Sequence, residues 1–198
     1  MNQRNAELAS YFNSLADQWD SMCHHDPAIL GELLRRIEIR PGEAVLDVGC
    51  GTGVLTPYLS SLAGPSGAVT GIDLAEQMIA LARRKHGALA SFIVGDVMAM
   101  PPVEGFDVVM CYSAFPHFAD QPGAIEHMSR LLKRGGRLAV CHSQSRRAIN
   151  DRHASAADAV RSDVLPPATE VAAWMTRAGL TVFEQEDSDR LYLVVGIK

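Results

Sequence analysis

The groups with chemistry to offer in this 198-residue chain are three carboxylates that close apolar runs, a set of spaced glycines, and three histidines. The glycines stand in VLDVGCGTGVL, residues 45–55, where Gly49, Gly51 and Gly53 directly follow an apolar stretch and open a segment with helical spacing. Glycine at such a junction permits a tight turn and lets backbone N–H groups approach a bound molecule closely. A loop of this kind is shared by nucleotide binders of several types and by chance loops. Asp47 narrows the choice, because a carboxylate two residues before the first glycine repels a pyrophosphate and attracts an ammonium group. Asp73, in TGIDLAEQM, closes the next apolar run, where a carboxylate can accept both hydroxyls of a ribose. Asp96, in VGDVMAMP, closes the third and can face an adenine amino group, with Leu74 and Val97 as apolar faces for the ring. Each acid also has a plainer reading, as a loop cap, a helix cap or a turn residue before Pro101. Cys50 belongs to the loop through its backbone, and its side chain reads as packing.

His117, His142 and His153 are the candidate proton acceptors, since imidazole titrates near neutrality and suits a phenol, thiol or protonated amine as partner. The segment HSQSRRAINDRH, residues 142–153, sets Arg146, Asn150 and His153 at i, i+4 and i+7, on one helical face. A guanidinium, an amide and an imidazole turned to one cavity would hold a polar or anionic substrate; the alternative is a solvated helix face. Phe115, with Phe118 and Met100, is a candidate wall for an apolar substrate, although such residues also build cores. His117, His142, His153 and Cys111 have the atoms of a metal site without its spacing, so no metal is expected. His24, His25, His86 and His127 read as surface residues.

The elements that must position these groups alternate regularly. Apolar or β-branched runs predict strands at 44–48, 68–72, 91–94, 106–112, 137–142, 180–186 and 191–197. Helical spacing predicts helices near 5–16, 27–37, 54–63, 76–85, 120–132, 145–160 and 169–178. Nearly continuous apolar strands separated by single helices require a parallel sheet covered on both faces, an α/β doubly wound arrangement. Only DSDR separates the last two strands, too short for a crossover, so the sheet ends in an antiparallel hairpin. The economical division is one domain over 1–198. Within it, helices in 1–37 form a lid, residues 38–198 form the sheet unit, and 143–166 are an inserted helical segment near the site.

Composition limits the function classes. With 47% hydrophobic residues and a net charge of −5, the chain fits a globular domain rather than a disordered one. It has no Lys/Arg stripe, which argues against a nucleic-acid partner. No apolar run is long enough for a membrane span, and the polar first residues lack an export signal. Four scattered cysteines favour a reducing, cytoplasmic setting. Oligomeric state is not readable.

Taken in order, the motifs resemble those of class I S-adenosylmethionine-dependent methyltransferases, of the small-molecule branch that includes the ubiquinone/menaquinone-biosynthesis enzymes. LDVGCGTG is similar to the family's first motif, GIDLAEQMI to its second, GDVMAMP to its third and FDVVMCYSAFPHF to its fourth, while LLKRGGRLAV matches the turn into the fifth strand. The resemblance covers about residues 8–141 well and the final hairpin loosely. It implies a Rossmann-like seven-stranded mixed sheet, mostly parallel, and S-adenosylmethionine as cofactor with S-adenosylhomocysteine as product. It further implies direct in-line methyl transfer to a small-molecule acceptor. By position, Asp47 and the backbone of Gly49, Cys50, Gly51 and Gly53 would hold the methionine moiety, and Asp73 the ribose. Asp96 and Val97 would hold the adenine, with Leu74 and Met78 lining it and the backbone of Cys111 and Tyr112 near the methionine end. YFNSLADQWD resembles the family's early aromatic segment, so Tyr11 and Trp19 would close over the cofactor. Many relatives have paired histidines after the fourth strand where this chain has SAFPHF with one. A non-catalytic or regulatory S-adenosylmethionine-binding protein is the alternative; a dinucleotide-dependent oxidoreductase fits Asp47 and the hairpin poorly.

Overall fold

The computed structural model describes residues 2–23 and 25–198; His24, read above as a surface residue, lies outside them. A seven-stranded sheet forms the centre, with β1 (Ala44–Val48), β2 (Ala68–Asp73), β3 (Ser91–Val94), β4 (Phe106–Tyr112), β5 (Leu132–His142), β6 (Thr181–Asp187) and β7 (Tyr192–Ile197). Their spatial order is β3-β2-β1-β4-β5-β7-β6. The first five strands are parallel, and β7 runs antiparallel between β5 and β6.

Helices cover both faces: α1 (Gln3–Leu15), α2 (Trp19–Met22), α3 (Pro27–Ile37), α4 (Thr56–Ala63), α5 (Glu76–His86), α6 (Gln121–Leu131), α7 (Arg146–Ala154), α8 (Asp158–Arg161) and α9 (Ala168–Arg177). Their starts follow from capping residues. Asn2, Asp26, Asp120 and Ser145 each accept a first-turn backbone N–H, and Pro27 and Pro122 supply a preset φ within the first turns.

The strand pleat sorts the core into two halves. Leu46, Val48, Val109, Leu138, Val140 and Tyr192 face α6 and α9. Val45, Val108, Met110, Ala139, Leu193 and Val195 face α3 and α4. Three expectations need adjustment. Helix α3 buries Leu30, Leu33, Leu34 and Ile37 in the core, so it does not belong to the lid expected over 1–37. The helix expected over 145–160 breaks into α7 and α8, because the last backbone groups of α7 close on themselves at Ser155. Strand β5 starts at Leu132, its ladder to β4 interrupted by a register shift between Phe106 and Val108. Among the described residues no helix is long and apolar enough to cross a membrane.

Candidate active site

Chain order reverses at β1, whose neighbours are β2 on one side and β4 on the other, and such a switch point opens a crevice at the carboxyl ends of the strands. There the structure has a cavity of about 360 Å³. The glycine loop forms one wall. Gly49 has φ +70°, and a Cβ on it would stand 2.4 Å from the Ala114 Cβ, so only glycine lets the loops after β1 and β4 meet. Gly51, with φ +53°, donates its N–H to Asp73 Oδ2 at 2.9 Å. Asp73 Oδ1 accepts the Ala75 N–H at 2.8 Å, so this carboxylate ties the first loop to the start of α5.

Asp47 lies beneath, 2% exposed, at the end of β1. Burial, and secondarily the charge of Asp73, pushes its carboxyl up to about 7. Burial raises Asp73 as well, against the backbone N–H groups of Ala75 and Gly51 that lower it. No Lys or Arg lines the cavity among the described residues, whereas Asp47, Asp73, Asp96 and Asp120 all do. The wall therefore holds uncompensated acids, which favours a ligand that brings positive charge.

Leu74, Met78, Val97 and Met98 line the far end beside Asp96. Asp96 Oδ1 accepts the Met98 N–H at 2.9 Å, and Oδ2 accepts from Asn5 Nδ2 at 2.6 Å. Residues of α1 and α2 also line the cavity. Asn13 accepts the Gln77 N–H at 2.8 Å, Lys85 donates to Asp20 at 2.7 Å, and the Thr52 hydroxyl donates to Asp20 at 2.5 Å. Trp19 lines the cavity as expected, but Tyr11 does not; it packs edge-on behind Phe12 at 5.2 Å. Phe12 faces inward, edge-on to Trp19 at 5.5 Å and to His117 at 5.2 Å. Leu8, Phe12 and Trp19 line the cavity together; Tyr11 and Phe12 stand three and four residues from Leu8, so helical spacing alone does not separate them.

The three histidines separate. His117, in the turn after β4, lines the cavity, with Nδ1 2.7 Å from Asp163 Oδ2. His142 does not reach it. On β5 it continues the inward face of Leu138 and Val140, is 1% exposed, and packs against Tyr192 at 5.9 Å. Neither ring nitrogen has a partner among the described residues, and burial drives its pKa down to about 3. His153 lies behind His117, ring centroids 5.1 Å apart, and donates Nδ1–H to the Asp163 carbonyl at 2.8 Å; burial lowers its pKa. Arg146 and Asn150 share its helical face, yet that face grips the protein itself. Arg146 pairs with Asp187 at 2.7 Å, and Asn150 brackets Leu165 with two backbone hydrogen bonds. Phe115 is fully buried against Phe118 and Trp174.

Cys111 is buried in the sheet and does not line the cavity; Tyr112, Ser113 and Ala114 do. Cys50 turns its thiol toward Gly71 in a small cluster with Ile79, Ala82 and Phe92. Phe12 and Asp163 were not singled out by the sequence, and His25, expected at the surface, is instead part-buried at the cavity. His25 lines the cavity, its Nδ1 2.7 Å from the Tyr112 hydroxyl, which also meets Ser143 Oγ at 2.6 Å. Nothing in RSDVLPP marks Asp163, which reaches the site only through the fold. Among the described residues no three His, Cys, Asp or Glu side chains are grouped to hold a metal ion.

Residues 45–136 match the family described as a methyltransferase domain. The demethylmenaquinone methyltransferase of Symbiobacterium thermophilum is 35% identical over 121 residues, covering 58% of this chain and 48% of that protein. The chain spans only 32% to 48% of the length of the first such curated relatives. Among solved structures, a SAM-dependent methyltransferase from Aquifex aeolicus aligns with a TM-score of 0.70 at 22% identity, over 96% of this chain and 97% of that one. Magnesium protoporphyrin IX methyltransferase from Synechocystis, with SAM bound, aligns with a TM-score of 0.73 at 18% identity, over 100% and 98%. The fold is that of the class I S-adenosylmethionine-dependent methyltransferases.

Proposed function

We propose that this chain, whose residues 45–136 match a methyltransferase domain, binds S-adenosylmethionine in the cavity and methylates a small neutral acceptor. The observation that carries the reading is the pair Asp47 and Asp73 beside the glycine loop, in a cavity that no Lys or Arg lines among the described residues. A ligand with an ammonium and a sulfonium supplies the charge those acids lack. The ammonium falls to Asp47 and the loop backbone, and the ribose hydroxyls to Asp73. The adenine falls between Val97 and the Leu74 and Met78 side chains. Each Asp96 oxygen already accepts one hydrogen bond and keeps a second lone pair for the adenine amino group.

When bound, the cofactor supplies an electrophilic methyl carbon, and the acceptor's electron pair forms the new bond while the carbon–sulfur pair stays on sulfur. The chain holds the two reactants in line and keeps water away, and orientation of this kind contributes several kcal/mol. His117 is the one of the three expected histidines at the cavity wall, and its role is to take the acceptor's proton at Nε2. Carboxylates on the wall disfavour an anionic acceptor, and Phe12, Trp19 and Phe118 favour an apolar body. A phenol or a thiol meets both conditions. The four unpaired cysteines, three of them buried, support a cytoplasmic setting.

The test is S-adenosylhomocysteine release by the purified protein against phenols and quinols, thiols, amines and small acids. A phenol or thiol should support turnover that falls about 100-fold in His117→Ala. Equal rates with carboxylic acids, or turnover unchanged in His117→Ala, would contradict the proposal. Saturable cofactor binding with no turnover on any acceptor would favour the non-catalytic binding protein.

A further inference from the structure

We infer that Asp163 is a positioning residue for the proposed base: it fixes the His117 ring with Nε2 toward the cavity and, through Arg4, ties that arrangement to α1. The inference rests on the reading of His117 as the group that takes the acceptor's proton. Asp163 lies between α8 and α9, is 8% exposed, and divides its two oxygens. Oδ2 meets His117 Nδ1 at 2.7 Å, and Oδ1 accepts from Arg4 Nη2 on α1. A carboxylate paired with a guanidinium can only accept, so Nδ1 carries the proton and Nε2 is left with its lone pair.

The peptide around Asp163 is held on several sides. His153 Nδ1–H donates to the Asp163 carbonyl at 2.8 Å, Gln121 Nε2 donates to the Val164 carbonyl at 2.9 Å, and Asn150 brackets Leu165. Asn150 and His153, on the polar face of α7, thereby hold the segment that orients His117. A catalytic side chain needs such support to keep a productive geometry.

The charged and titratable groups around His117 are few. Asp163 and Arg4 lie on one side; His153 stands behind it, with Arg152 beyond on α7; His142 acts from β5. Asp73 acts on it from the end of β2, and Asp47, Asp96 and Asp120 are the other acids on the cavity wall. Arg4, on α1, shares the Asp163 carboxylate with the ring, so the amino-terminal arm and the proposed base bear on one anion.

Ring ¹⁵N–¹H NMR of the full chain saturated with S-adenosylhomocysteine tests this. The His117 titration midpoint should fall by about one pH unit in Asp163→Asn and rise by about half a unit in Arg4→Gln. The dissociation constant for S-adenosylhomocysteine in Asp163→Asn should stay within about threefold of wild type, while kcat on an acceptor found by the panel falls about 100-fold. Asp163→Glu should recover part of that loss. Midpoints that stay put, or that move the same way in both variants, would overturn the inference even if Asp163→Asn lowers the melting temperature. Should Asp163→Asn fail to fold, Arg4→Gln, at a part-exposed site, gives the same readout. Failure of the wild-type chain to bind S-adenosylhomocysteine would instead overturn the functional reading on which this one rests.

Discussion

At the scale of single residues, Asp47 is where binding and stability oppose each other. Its carboxyl titrates near 7 in the folded chain against 3.8 ordinarily, so the ionised form is tolerated at a cost. For an acid whose folded pKa is raised, that cost is absent below about pH 4, grows as pH rises toward 7, and then levels at about 4 kcal/mol. Asp47→Asn should therefore raise the melting temperature of the ligand-free protein at pH 8 much more than at pH 4.5, as differential scanning fluorimetry would record. The same change should weaken S-adenosylhomocysteine binding by at least about tenfold, a charge-assisted contact being lost. An Asp47→Asn protein that binds normally would mean the ammonium lies elsewhere. That the three acids line one cavity was legible in the sequence, because Asp47 and Asp73 stand at strand ends and Asp96 two residues beyond one, on the side where this fold class opens its crevice. His142 was misread for a related reason. Its position at the end of β5 is right, but the two-residue pleat turns its ring to the side of Leu138 and Val140.

At the scale of elements, the lid is a short helical arm fixed by polar contacts at intervals, with Asn5, Asn13 and Asp20 reaching Asp96, Gln77 and both Thr52 and Lys85. Its apolar contribution to the cavity comes through Phe12 and Trp19. Phe12→Ala removes the ring that bridges Trp19 and His117, and it should raise the dissociation constant for S-adenosylhomocysteine about tenfold. The partly buried ring belongs to the arm, so the melting temperature of the ligand-free chain should change by only a few degrees. Calorimetric titration and a thermal scan separate the two effects; a large melting change with unchanged affinity would assign Phe12 to the core. The aromatic segment was found from its motif, while the choice of Tyr11 missed by one residue, a rotation of about 100° on a helix. The shared face of Arg146, Asn150 and His153 was also read correctly as a face. What it faces depends on the return of residues 162–167, a contact between distant parts of the chain that no local pattern encodes.

At the scale of the whole molecule, most strands were legible to within a residue or two; β7 is an apolar run buried along nearly its whole length, whereas β6 alternates between exposed and half-buried positions. That difference also explains why β7 is inserted between β5 and β6, with β6 at the edge. Global stability should carry the mark of His142. Its folded pKa of about 3 lies below the ordinary 6.5, so the neutral ring is favoured on folding. The contribution is whole above pH 6.5 and is lost as pH falls toward 3, a span worth on the order of 5 kcal/mol. His142→Leu should flatten the fall in melting temperature between pH 6.5 and 4 and leave cofactor binding at pH 7.5 within about twofold. A wild-type acid slope that persists in this variant would move the acid sensitivity to another group.

The central claim is that the acids at the ends of β1 and β2 hold S-adenosylmethionine, and calorimetric titration with S-adenosylhomocysteine tests it most directly. One molecule should bind per chain, Asp73→Ala should weaken it by at least about tenfold, and NADH should give no saturable heat. Binding of NADH in place of S-adenosylhomocysteine, or an unchanged dissociation constant in Asp73→Ala, would contradict the assignment of the site.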